Sequence, residues 1–158
     1  MKIKIICVGK IKEKFFTDAI DEYKKRLSKF ADVTICEVND EKTKEDLSDR
    51  ELELILSKEG ERMEKYISPS DYVISLAIEG KKLSSEGLSE KITGIMQTNS
   101  SIAFIIGGSL GIDSKIKKKS DFLLSFSDMT FPHQLMRVCL LEQIYRSFKI
   151  ANNEPYHK

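Results

Sequence analysis

Two rhythms of apolar and polar residues take turns along this chain. "KIKIICVG" (2–9) alternates Lys with Ile and predicts a strand. "KFFTDAIDEYKKRLSKF" then sets Phe16, Ala19, Ile20, Tyr23, Leu27 and Phe30 at helical spacing, an apolar stripe with Lys and Glu outside it. "VTICEV" (33–38) is a second strand, and the polar stretch 39–49 reads as a loop. Residues 50–67 predict a helix with Leu52, Ile55, Leu56, Met63 and Ile67 inward, stopped by Pro69. Gly60 inside that helix is odd, because it costs about 1 kcal/mol relative to Ala. "YVISLAI" (72–78) and "SIAFII" (101–106) are apolar on both faces, as strands of a parallel sheet require. A helix starts between them near Ser84 or Ser85. "DSKIKKKS" predicts a short basic helix after an Asp cap, "FLLSFS" (122–127) a fifth strand, and Pro132 opens a helix running to about Asn152. The order βαβαβαβαβα predicts an α/β fold: a mostly parallel sheet with helices on both faces, in one domain spanning 1–158.

The last helix departs from the usual pattern. Leu135, Met136, Val138, Cys139, Leu140, Leu141, Ile144, Tyr145, Phe148 and Ile150 cover most of its circumference. Such a helix is buried on more than one side, and the expected extra neighbour is a second copy in a twofold homodimer.

Composition narrows the class. With 41% hydrophobic and 32% charged residues, the chain is neither disordered nor membrane-spanning. The opening "MKIKIICVGKIK" reads as a first strand instead of a signal peptide, so a cytoplasmic location is expected. Cys7, Cys36 and Cys139 lie far apart with no Cys-x-x-Cys, and there are only two His, so no metal is expected. Net charge is +1, but residues 115–158 carry +4 and the first 114 carry −3. That basic third could face phosphates, although on charge alone solvated helix faces are the better explanation.

Ligands of such sheets bind beyond the carboxyl ends of the strands. Three segments fall there: "LAIEGK", "GGSLG" and "SFSDMTFPH". The glycine run is neither a dinucleotide fingerprint nor a P-loop. It permits a tight turn and close backbone approach to a ligand. In the third segment, Ser127, Asp128 and Thr130 offer polar groups while Met129 and Phe131 could wall an apolar slot or simply pack in the core. His133 and Arg137, four apart, share a helix face. The terminal "EPYHK" brings an aromatic, an imidazole and a cation together, which suits either a frayed end or a clamp on a base.

"FIIGGSLG", "LSFSDMTFPHQLMRVCLLEQIYRSFKI" and "EPYHK", supported by "VGKIKEKF", "EYKKRLSKF", "KEGERM" and "GKKLSSEGL", closely resemble the ribosomal RNA large subunit methyltransferase H family, a branch of the SPOUT methyltransferases. The resemblance covers essentially the full length. It implies a C-terminal trefoil knot, a homodimer, and methyl transfer from S-adenosylmethionine to N3 of a pseudouridine in the helix 69 loop of 23S rRNA, on assembled 70S ribosomes. It implies cofactor contacts at Leu76, Gly107, Phe126, Ser127, Asp128, Met129, Thr130 and Phe131. Asp128 departs from the family's usual non-acidic residue, so its contact there is expected through the backbone. Tyr156 and His157, from the same chain or from the partner's tail, are expected to position the target base, with Arg137 lining the site or touching the RNA backbone. The competing readings are a ribosome-associated RNA binder without catalysis and a small phosphotransferase. The second lacks the P-loop Lys and an acidic metal cluster.

Overall fold

The computed structural model describes every residue, Met1–Lys158. Ten elements follow the expected order: β1 (Lys2–Val8), α1 (Lys14–Leu27), β2 (Asp32–Val38), α2 (Asp49–Glu64), β3 (Asp71–Lys82), α3 (Ser85–Thr98), β4 (Ser101–Ile106), α4 (Ser114–Lys119), β5 (Phe122–Ser125) and α5 (His133–Ala151). The strands form one five-stranded sheet in the order β2-β1-β4-β3-β5, and every pairing is parallel. β4, apolar after Ser101, is central and buried at all six positions.

Each face of the sheet has its own core. On one side α1, α3 and α5 pack around Phe104, Leu140, Leu141 and Ile144. On the other, Met63 of α2 and Ile116 of α4 cover Ile6, Ala103 and Ile105. Burying one such side chain stabilises the fold by about 1.5–3 kcal/mol. Polar caps set the helix starts. Ser48 and Glu51 form a reciprocal capping box on α2, and the hydroxyl of Ser84 accepts the Gly87 N–H at the head of α3. Gly60 is no longer odd: a Cβ there would come within 2.8 Å of the Asp113 carboxylate, whose other oxygen caps α4.

Two boundaries differ from the sequence pattern. β3 continues past Ile78 to Lys82, and its pairing with β5 shifts register between Leu76 and Lys81. β5 stops at Ser125, so Phe126 and Ser127 leave the sheet. The all-round apolar helix also finds its neighbours within the chain. α5 lies between α1 and α3, with Phe30 stacked on Phe148 at 5.4 Å and Ser89 Oγ donating to the Ser147 carbonyl. Its two flanks and its sheet-facing side thus account for much of the apolar circumference without a second subunit.

Candidate functional site

The chain leaves β5 at one edge of the sheet and crosses the ends of β3 and β4 before α5 docks on the end of β1. That crossing follows from Arg137, whose guanidinium donates to the carbonyls of Val8 (2.9 Å) and Gly9 (2.7 Å) and to Glu37 Oε2 (2.7 Å). Glu37 Oε2 also accepts the Ile11 N–H. The side chain of Arg137 is 1% exposed. A buried guanidinium is costly unless its charge is paired and its donors largely satisfied, and here two contacts tie α5 to the end of β1 and a third ties it to Glu37 of β2. Its Nε is left without a partner. Arg137 therefore does not reach a ligand or the RNA backbone, contrary to the expectation from sequence. It faces the interior because the last carbonyls of β1 need donors there.

Under the crossing lies a cleft of about 410 Å³ at the carboxyl ends of β3, β4 and β5. Leu76 and Glu79 come from the first wall, Gly107 to Ile112 from the second, and Phe126, Ser127, Met129, Thr130 and Phe131 from the third. His133 and Met136 close it from α5, and Lys117 from α4. The second wall is a tight turn in which the Gly111 N–H donates to the Gly108 carbonyl at 3.1 Å. A Cβ on Gly107 would lie 2.2 Å from the Gly111 carbonyl oxygen, so only glycine lets the turn close.

In the third wall, the Met129 N–H is held by Ser127 Oγ at 3.0 Å, and the Ser125 hydroxyl donates to the Ser127 carbonyl. The peptide N–H groups of Phe126, Ser127, Asp128, Thr130 and Phe131 have no partner within the chain. An apolar slot edged by unspent peptide groups is suited to a nucleoside-sized ligand, and its volume is in the range of such sites. Asp128 alone of the expected cofactor contacts turns away. Its carboxylate pairs with Lys82 on the outer surface, so only its backbone faces the crossing. Glu79 and Lys117 pair across the rim at 2.6 Å, and that hydrogen bond holds the Glu79 carboxyl below its ordinary range.

The protein-family model described as "Predicted SPOUT methyltransferase" matches residues 1–157. The chain is 58% identical to the ribosomal RNA large subunit methyltransferase H of Bifidobacterium adolescentis, over the whole of both chains. It is 54% identical to the protein of the same name from Streptococcus pyogenes serotype M5, again over the whole of both. The chain belongs to this family of SPOUT methyltransferases. A solved structure, a probable methylase family protein from Haemophilus influenzae Rd KW20, superposes with a TM-score of 0.58 over 99% of this chain and 70% of that one. At 14% identity it shares the fold alone.

The terminal residues of the methyltransferase do not line the cleft. They fold back along α5 and α3. The Tyr156 hydroxyl donates to Glu142 Oε1 at 3.1 Å, its ring meets Tyr145 edge-on at 5.0 Å, and Arg146 lies over its face. Burial, then the bond to Glu142, pushes its phenol up to about 12. His157 Nδ1 faces Arg146 at 3.3 Å and Nε2 faces Glu86 at 2.7 Å. A guanidinium only donates, so the ring proton sits on Nε2. Glu142 also borders a second hollow of about 560 Å³ beside the cleft, walled by Tyr23, Leu83, Val138 and Gln143 among others and sharing Leu124, Ser125 and Phe126 with it. The methyltransferase has no group of three or more His, Cys, Asp or Glu placed to hold a metal ion, and no helix long and apolar enough to cross a membrane.

The sequence pattern brought out the glycine turn and the 126–131 loop. It missed Glu79, Lys117 and Met136 as lining residues. Glu79 lay in the segment already singled out after β3, whereas Lys117 was one of four near-identical lysines with nothing to distinguish it.

Proposed function

We propose that this methyltransferase carries the methyl group of S-adenosylmethionine to N3 of a pseudouridine in the helix 69 loop of 23S rRNA. The substrate is the assembled 70S ribosome, in the cytoplasm, and the working enzyme is a homodimer. The observation that carries the reading is the cleft at the ends of β3, β4 and β5, with its free peptide groups, in a chain aligned end to end with proteins named for rRNA methylation. Leu76, Gly107 and the run from Phe126 to Phe131 would hold the cofactor, with Asp128 contributing backbone only. S-adenosylmethionine supplies an electrophilic methyl on sulfonium, so the protein's task is alignment for in-line displacement. The crossing of residues 126–131 over two strand ends is the passage that a trefoil knot would use, and we read it so.

Tyr156 and His157 sit outside the cleft in one chain. We assign them to positioning the target base, at the cleft of the second subunit, where the exposed side of the network on α5 would meet its partner. Arg137 is removed from this set and becomes the strut that holds the cleft's third wall. Mass spectrometry of rRNA from cells lacking the protein tests the reaction: loss of a single methylpseudouridine is expected, and an unaltered profile would overturn it. Calorimetry with S-adenosylmethionine separates an enzyme from an RNA binder, which would take up none.

A further inference from the structure

Of the residues that line the cleft, three carry acidic or basic side chains: Glu79, Lys117 and His133. Glu79 and Lys117 are spent on each other. His133 is different. Neither of its ring nitrogens is hydrogen-bonded to any group of the chain, and neither is sealed from solvent, since Arg137 Nε is the one buried side-chain nitrogen or oxygen lacking a partner. Its ring lies beside Gly9: Nε2 would be 3.7 Å from a Cβ placed there. It lines the same cleft as the third wall, whose peptide groups would hold the cofactor.

We propose that His133 is the proton acceptor of the methyl transfer, supplied by the same subunit that holds the cofactor. The inference rests on the reaction proposed above. N3 of the pseudouridine is an imide nitrogen and carries a proton. That proton passes to an imidazole nitrogen of His133. The N3 electron pair forms the new bond to the methyl carbon as the carbon–sulfur bond breaks, and its electrons stay on sulfur, which becomes a neutral thioether. The proton then leaves His133 for solvent. Tyr156 and His157 position the base in this scheme and need not accept the proton.

The surroundings keep His133 ready. Burial and the Arg137 cation one turn away both disfavour a charged ring, and Asp40 from the β2–α2 loop opposes them. Glu37, paired with Arg137, tempers that cation. His133 is also the first residue of α5, where the helix dipole disfavours a cation. A base that is neutral at working pH is what general base catalysis needs.

The test uses full-length protein carrying His133→Asn or His133→Gln. The chain has two histidines, so imidazole NMR of the free wild type gives two titration curves, and each variant assigns one. The His133 curve is expected below the ordinary 6.5, and the acid limb of the kcat/KM profile on 70S ribosomes is expected to follow it. Methyl transfer by either variant should fall about 10²- to 10⁴-fold at saturating S-adenosylmethionine, with cofactor affinity by calorimetry within about threefold. A rate within tenfold of wild type, an acid limb unchanged in the variants, or a loss that saturating cofactor restores would overturn the assignment. A wild type that binds no S-adenosylmethionine, or methylates no ribosome, defeats the reaction itself instead.

Discussion

Arg137 and Glu142 are charged residues less than two turns apart on α5, and they are held in opposite ways. Arg137 is locked inside, against two carbonyls and a carboxylate that do not move with it. Glu142 gathers Arg146, Tyr156 and, through Arg146, His157 into a network at the surface. The first arrangement is one conformation or none. The second is a set of contacts that can be exchanged for others at modest cost, because exposed ion pairs contribute about 0–1 kcal/mol each. In the proposed function, α5 holds a cofactor wall still and lends its tail to a partner, which calls for both kinds.

Breaking the buried end should have the largest effect. Arg137→Ala takes the guanidinium away from the two carbonyls and leaves Glu37 without its charge partner, so it should cost about 3–5 kcal/mol in urea unfolding. Cofactor affinity should fall with it, since the third wall loses its anchor. If the variant unfolds at the wild-type midpoint and binds cofactor normally, the two ends of α5 do not differ as described. Deleting residues 155–158 should do the reverse. Stability should change by about 1 kcal/mol, the order of one aromatic pair, and cofactor affinity hardly at all, while methylation of 70S ribosomes is lost. Full methylation by the truncated protein would remove Tyr156 and His157 from the site.

The smallest expected effect sharpens the contrast through pH. In Glu142→Gln the Tyr156 phenol should descend from about 12 but stay above its ordinary 10, because burial is the larger cause; carbon-13 NMR of the tyrosine rings reads it. A raised phenol means that the native state keeps a proton the unfolded chain loses. Tyr156 therefore adds stability that is full below pH 10 and lost by about pH 12. His133 runs the other way. Its affinity for protons is lowered in the fold, so as pH falls through 6.5 the unfolded chain takes a proton first and stability drops. The two ends of α5 should thus weaken the protein at opposite extremes of pH.

Local chemistry made most elements readable, and the exceptions have one cause. The apolar runs of β3 and β4 could only be buried strands, and Ser84 and Asp113 announced their helices. Glu79, Lys81 and Lys82 do not look like a strand, yet they continue β3 because β5 lies close enough to pair with Lys81 and Lys82. Arg137 looked like a surface residue because Arg is rarely buried. Its depth is decided by two carbonyls of β1, which no local pattern reveals. The turns around the 126–131 loop were legible because glycines and a Pro-started helix mark them. The surroundings of His133 and the partners of the tail were not, because segments far apart in sequence supply them.

The anchor between Arg137 and Val8 spans 129 residues. Closing so long a loop adds little to the final stability cost, which grows only with the logarithm of length, but contacts between distant segments slow folding. The sheet from β1 to β4 can assemble while the rest of the chain is still being made. The cleft cannot, because its third wall arrives only when α5 reaches back to the first strand. Cofactor binding should therefore be the last property the molecule acquires, and a refolding experiment followed by S-adenosylmethionine uptake should lag behind one followed by helix content.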